Sequence, residues 1–394
     1  MKKLNVAVFF IGDFPEGGAT VSRIKGYLQP LKNKHRFTIN ILWQDSFSQT
    51  KINDKTEGNW EGIPFKFHNH NICRPQSMFF KLVDSFKAFL NSSIYILKNR
   101  KEINIIYFYN PEFIYGWNIL LLSKLFKIPL VIEQTELQSS IYNQVGVKKN
   151  IFYFFKKTSE KYIHHFCDAA IVISDKLFSH YQNQFPNNNI YKIPALVDLE
   201  RFKPISEKID SYKIGYIGSF GIKDGIPDLL RAFAKVKLKL PQLKLRLIGN
   251  YDEHLNILKI IEELEIKDSV ELTGRVYFNE VPELLSACDL LICNRINSEY
   301  ANYGFPSKLA EYMALCIPVI ATDVSDISKY ISDEYLKLIP AENVDLLINE
   351  IINRYTFYEL YNDKANKAIG KIKLHFSNDT CAQMLENILF KYAK

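Results

Sequence analysis

Short apolar runs alternate along this chain with longer stretches in which apolar positions recur every three or four residues. Residues 5–11 are a continuous apolar run of strand length, 12–18 is a loop containing glycine and proline, and 19–32 has helical spacing. Strand, glycine loop and helix in that order open a doubly wound α/β domain. Further strands are predicted at 37–43, 103–109, 129–132 and 169–173, with helices at 78–97, 113–126 and 149–165. This alternation predicts a parallel sheet covered on both faces. The proline-flanked stretch 192–204, KIPALVDLERFKP, breaks the pattern, and 194–204 reads as a hinge. A second series follows, with strands at 213–217, 243–248, 270–272, 290–293, 318–321 and 337–339. Its helices are predicted at 225–239, 253–265, 280–287 and 344–355, before a last helix at 379–392. The fold class is therefore α/β, with Rossmann-like domains at 1–195 and 196–375 and a closing segment at 376–394.

The stretch 303–322, YGFPSKLAEYMALCIPVIAT, concentrates candidate chemistry. With Pro306 at the first helical position, Phe305 becomes an N-cap that cannot accept a hydrogen bond. First-turn N–H groups, those of Ser307 and Lys308 among them, then point at an acceptor, and a helix start favours an anion. Ser307, Lys308 and Glu311 share one helix face. That face offers a cation for phosphate and a carboxylate for sugar hydroxyls. A second reading makes Ser307 the cap and Lys308–Glu311 a solvated pair.

In a parallel sheet, ligands bind beyond the carboxyl ends of the strands. Gly218, within the glycine-containing GYIGSFG, and Lys223 follow one predicted strand, and Arg275 and Val276 follow another. Lys223, Arg275 and Lys308 together can neutralise a diphosphate. No Asp-x-Asp pair follows a strand and no His-rich metal spacing occurs, so neither a metal nor another cofactor is expected. In the first half, Gly17 and Gly18 either let the backbone approach a ligand or form a plain turn. Glu133, Gln134, Thr135 and Glu136 lie just past the predicted strand 129–132. They either orient a hydroxylated acceptor or are solvated loop residues. The helix around 150–165, with Lys156, Lys157 and Lys161 among aromatics, fits an anionic membrane surface or a core helix with lysines outward.

Composition narrows the classes. With 394 residues, 47% hydrophobic and 24% charged, the chain is globular and long enough for two cores. A net charge of +7 admits phosphate esters or anionic lipid as partners. The lysines form no single basic stripe with interleaved aromatics, so nucleic acid is not expected. Six cysteines without metal or CxxC spacing read as free thiols in a reducing cytoplasm. The apolar run near the start is short and breaks at Gly12-Asp13, as a first strand does and a leader peptide does not. No uninterrupted apolar stretch reaches membrane-spanning length.

Several segments jointly resemble the retaining glycosyltransferases of family 4, as found in bacterial surface-polysaccharide assembly. They are GGATVSRIKGYLQPL, DAAIVISDKLFSHY with IPALVDLERFKP, IGYIGSFGIKDGIPDLLRAFAKV, LTGRVYFNEVPELLSACDLLI and GFPSKLAEYMALCIPVIAT. The resemblance implies the GT-B fold: two Rossmann-like domains facing a cleft, with the last helix crossing back to the first domain. It implies transfer of a sugar from a nucleoside-diphosphate sugar to a glycan or lipid-linked saccharide, at the inner face of the plasma membrane or in the cytoplasm. Glu311 matches the carboxylate that binds the ribose, and Gly304, Phe305, Ser307 and Lys308 match the diphosphate segment. Lys223 lies near the family's diphosphate lysine, Arg275 and Val276 flank the base, and Gly17 and Gly18 face the donor. The acceptor histidine that many members carry is absent from this sequence, and Glu133 or Thr135 lies in its neighbourhood. Two positions depart from the family pattern: Tyr303 replaces the first glutamate of the pair, and Ser219 replaces an arginine. A GT-B nucleotide-sugar epimerase and a non-catalytic binding homologue are the alternatives.

Overall fold

The alternating pattern resolves into two units in a computed structural model that describes residues 2–44, 53–140, 151–204, 212–249 and 256–394. The first unit holds Met1–Pro194 and Asn378–Lys394, and the second holds Ala195–Ser377. Among the described residues no helix is long and apolar enough to cross a membrane.

The first unit contains β1 (Asn5–Phe10), β2 (Arg36–Ile41), β3 (Glu57–Trp60), β4 (Ile63–Phe67), β5 (Ile105–Tyr109), β6 (Leu130–Gln134), β7 (Ala169–Val172) and β8 (Ile190–Lys192). Among the described residues they form one sheet in the order β3-β4-β2-β1-β5-β6-β7-β8. All pairs are parallel except β3 with β4. Helices cover both faces of a parallel sheet, so its central strands read as unbroken apolar runs. In β5 and β6 every residue is buried.

Strand β6 runs two residues beyond its apolar stretch because Glu133 is neutralised inside the core. Arg23 Nε donates to the Glu133 carboxylate at 2.5 Å, Tyr27 Oη at 3.2 Å, and Tyr107 Oη donates as well. Arg23 also donates to the carbonyls of Pro194 (2.7 Å) and Ile193 (2.9 Å). Glu133 and Gln134 are therefore strand residues, not loop residues. Helix Asn378–Tyr392 belongs to this unit, where Glu386 accepts from Lys34 at 3.1 Å and pairs with the His35 ring at 2.9 Å.

The second unit contains β9 (Lys213–Ile217), β10 (Lys244–Ile248), β11 (Val270–Gly274), β12 (Leu290–Cys293), β13 (Val319–Thr322) and β14 (Lys337–Ile339). Its described strands are all parallel, in the order β11-β10-β9-β12-β13-β14. The order reverses direction between β9 and β12, the switch point at which such sheets bind ligands. The segment read as a hinge is tied into this unit: Val197 N–H donates to Phe376 O at 2.7 Å, and Val197 and Phe202 are buried. The division between units falls after Pro194 rather than across 194–204. The charged stretch 205–211 lies outside the described residues.

Candidate functional site

Two loops leave the switch point. After β9 the chain passes Gly218 and turns at Ile222–Asp224, and after β12 it continues as Asn294-Arg295. The loops are stitched together: Asn294 Nδ2 donates to Gly225 O at 2.8 Å, and Ile296 N–H to Lys223 O at 3.1 Å. Gly225 has φ +59°, and a Cβ there would stand 2.4 Å from Asn294 O. Only glycine permits both the left-handed backbone and this close approach.

Asp224 sits at the centre. Its Oδ2 accepts from Gly221 N–H at 3.1 Å and its Oδ1 from Lys308 Nζ at 2.8 Å. Lys308 also donates to Tyr216 Oη at 2.8 Å and lies 4.2 Å above that ring. Burial pushes the Asp224 carboxyl up, but the charges of Lys308, Lys223 and Arg295 outweigh it and hold the group below its ordinary range. Arg295 is buried, and its Nη1 has no hydrogen-bond partner among the described residues. Three cations, Lys308, Lys223 and Arg295, act on one carboxylate, and a buried guanidinium nitrogen without a partner is costly. The arrangement is suited to an anion.

Lys308 is thus not the freely available cation expected from sequence, since two of its three N–H donors are engaged within the protein. Gly218 serves the same cluster: a Cβ there would lie 2.2 Å from Tyr216 Oη and 2.6 Å from Lys308 Nζ. Lys223 Nζ reaches Tyr300 Oη at 3.3 Å and stands 4.5 Å from that ring's centroid.

Helix Ser307–Ala314 starts one residue later than predicted. Pro306, with extended ψ of 98°, is the N-cap, in place of Phe305. The Phe305 side chain instead stacks on Phe376, 5.7 Å between centroids, and meets Tyr330 edge-on at 6.0 Å. Leu309 N–H turns back to Pro306 O at 3.0 Å, which leaves the N–H groups of Ser307 and Lys308 as the donors that open the helix. Gly304 is buried and its carbonyl accepts from Ser325 Oγ. Tyr303 is 8% exposed, and burial and Glu299 push its phenol up. Glu311 is half-buried. Burial pushes its carboxyl up to about 7, against partial relief from Arg201 and Lys308.

The remaining candidates lie elsewhere. Arg275, which is exposed, and Val276 follow β11, two strands from β9 and so about 10 Å away along the sheet edge. In the first unit, Gly17 is fixed by packing, since a Cβ would lie 2.6 Å from Val21 Cγ2 and 2.7 Å from Asp13 O. Gly18 is the N-cap of helix Ala19–Leu31, and a Cβ there would meet open space. Glu133 is a buried partner of Arg23, which removes it from the acceptor-facing loop in which the sequence reading put it.

Sequence reasoning missed Asp224, Tyr216, Arg295 and Arg201. Asn294-Arg295 carried a usable signal: a polar pair directly after the apolar run of β12, the same position relative to a strand that singled out Gly218. Among the described residues no group of three His, Cys, Asp or Glu side chains is placed to hold a metal ion.

Residues 198–369 match the family model described as glycosyl transferases group 1. One curated relative is N-acetyl-alpha-D-glucosaminyl L-malate synthase of Bacillus anthracis, 33% identical over 148 residues, 37% of this chain and 36% of that protein. The chain matches between 36% and 59% of the length of its curated relatives. Among solved structures, sucrose-phosphate synthase of Thermosynechococcus elongatus superposes with a TM-score of 0.81 at 18% identity, over 99% of each chain. Anabaena Alr3699/HepE, solved with UDP and glucose, gives 0.71 at 16% identity, over 98% of this chain and 99% of its own. The fold is GT-B, and within it residues 198–369 are the part that matches the glycosyl transferases group 1 model.

Proposed function

We propose that this chain is a retaining glycosyltransferase of the family 4 kind. It moves a sugar from a nucleoside-diphosphate sugar to a hydroxyl of a growing bacterial surface glycan or lipid-linked saccharide. The observation that carries this reading is the partnerless Nη1 of buried Arg295, beside the cations that act on Asp224, at the switch point of the second sheet. The match to a glycosyl transferase model over the same residues supports it, as does the UDP and glucose in the HepE structure. None of the six cysteines forms a disulfide among the described residues, which is consistent with work in a reducing cytoplasm.

In the transfer, the bond from the anomeric carbon to the diphosphate oxygen breaks and a bond to the acceptor oxygen forms. The acceptor proton passes to the departing phosphate oxygen. Charge builds on the diphosphate, where Arg295, Lys223, the remaining N–H of Lys308 and the first-turn amides neutralise it. One such donor is worth roughly 10²–10³ in rate. Glu311, once ionised, accepts from ribose hydroxyls. Proton transfer to the leaving phosphate needs no carboxylate base, in keeping with the burial of Glu133. The proposal gives charge neutralisation to side chains and amides rather than to a divalent ion. A second reading, a non-catalytic binder, is favoured by Tyr303 at the first glutamate position and by the prior engagement of Lys308.

Thermal-shift screening with nucleoside diphosphates and their sugars, followed by mass spectrometry of products with and without saccharide acceptor, tests the assignment. A donor-dependent shift and a lengthened acceptor are expected. No shift with any donor overturns the site. Isomerised donor without acceptor identifies an epimerase, and binding without turnover the non-catalytic homologue.

A further inference from the structure

Helix Met78–Asn99 has its two faces exchanged relative to an ordinary surface helix. The residues it buries are Asp84, Ala88, Ser92 and Ile96, mostly small or polar. Asp84 is satisfied there by Asn71 Nδ2 at 2.7 Å. Facing outward, four residues apart, are Met78, Leu82, Phe86, Leu90 and Ile94, each between 41% and 73% exposed. Phe79 and Leu97 widen this stripe. A helix folding only for its own core would turn these side chains inward, and contiguous apolar exposure of this kind marks an interaction surface.

The charges choose the occupant. Apart from buried Asp84, the charged side chains of the helix are Lys81, Lys87 and Lys98. Arg100 and Lys101 follow before the first acid, Glu102. A second copy docked face to face would set the same basic fringe against itself, whereas anionic headgroups complement it. At 22 residues the helix is about 33 Å long. A helix with an apolar face and basic flanks lies in the plane of a bilayer surface. Helix Phe113–Leu125, linked to it by Asn118 Nδ2 donating to Ser93 Oγ at 2.9 Å, exposes Leu121 and Leu125 as well. The helix singled out from sequence, Ile151–Phe166, exposes Phe154, Tyr162 and Phe166, and several of its side chains, that of Lys156 among them, lie outside the described residues.

We propose that the outward face of helix Met78–Asn99 docks this chain on a membrane surface containing anionic lipid. The test uses the full chain, without donor or acceptor, so it stands apart from the sugar-transfer reading. Flotation is measured with vesicles of phosphatidylcholine plus phosphatidylglycerol and with phosphatidylcholine alone. The wild type should float with the anionic vesicles, and Leu82→Gln with Phe86→Gln should weaken partitioning about tenfold or more. Lys87→Glu with Lys98→Glu should abolish the preference for phosphatidylglycerol. These positions are exposed, so urea unfolding should be nearly unchanged. Should the apolar pair not fold, Ile94→Gln reads the same stripe independently. Absence of vesicle binding by the wild type, or binding indifferent to the apolar substitutions, overturns the proposal. So does light scattering that shows these substitutions splitting a dimer while flotation is unaffected.

Discussion

Lys308 Nζ lies 2.8 Å from Asp224 Oδ1, with the two side chains only 15% and 4% exposed. The lysine therefore holds the site together before it meets any ligand. Lys308→Met strands a buried carboxylate and should cost about 3–5 kcal/mol in urea unfolding. Combining it with Asp224→Asn should recover much of that loss, because no unpaired charge remains. Equal losses in the single and double variants would show that the pair carries no coupling.

Arg295 should behave in the opposite way. Its Nη1 has no partner among the described residues, so Arg295→Met removes an unsatisfied group and should leave stability level or higher. Nucleoside-diphosphate affinity, measured by calorimetry, should fall about 10- to 100-fold, the worth of one charge-assisted hydrogen bond. Unchanged affinity would take Arg295 out of the site.

Glu311 makes a prediction with a defined sign. Its carboxyl is raised from 4.5 to about 7, chiefly by burial. The folded chain keeps that proton after the unfolded chain has lost it. The stability this contributes is complete below the unfolded value and fades as pH rises through 7. Glu311→Gln cannot titrate, so it should melt higher than the wild type at about pH 8, with the gap closing toward pH 4.5. Donor binding should strengthen with pH through the same window in the wild type and stay flat in the variant. Parallel melting curves across the range would refute the assignment.

Gly218→Ala tests packing rather than charge. The added methyl falls on Tyr216 Oη and Lys308 Nζ, so one of them must move, at about 1–3 kcal/mol. Denaturant melts read the cost, and weaker nucleotide binding should accompany it because Tyr216 Oη and Lys308 Nζ are hydrogen-bonded to each other, so moving either disturbs the lysine. An alanine variant as stable and as tight-binding as the wild type would mean that the cluster has slack.

The sheet cores were legible because buried parallel strands are unbroken apolar runs, as in β5 and β6. Polar elements escaped. Strand β3 is Glu-Gly-Asn-Trp, with no apolar run to read. Helix Tyr358–His375 is largely polar, although its buried Tyr361, Ala365, Ala368 and Ile372 recur at helical spacing. At the site, the phosphate-loop reading found Gly218 and Lys223 from their place after a strand. It passed over Asp224 because a carboxylate looks wrong for an anion site until its cations are counted. Glu133 misled for a related reason: position along the chain said loop mouth, and only the long-range partner Arg23 shows it to be interior.

Strand β3 has a consequence of its own. It closes one side of the first sheet with four residues and pairs antiparallel to β4, where Glu57 meets Lys66 at 2.9 Å in the open. An edge this short and charged offers no template to a passing strand. The hairpin thus shields this side of the long parallel sheet from pairing with other molecules.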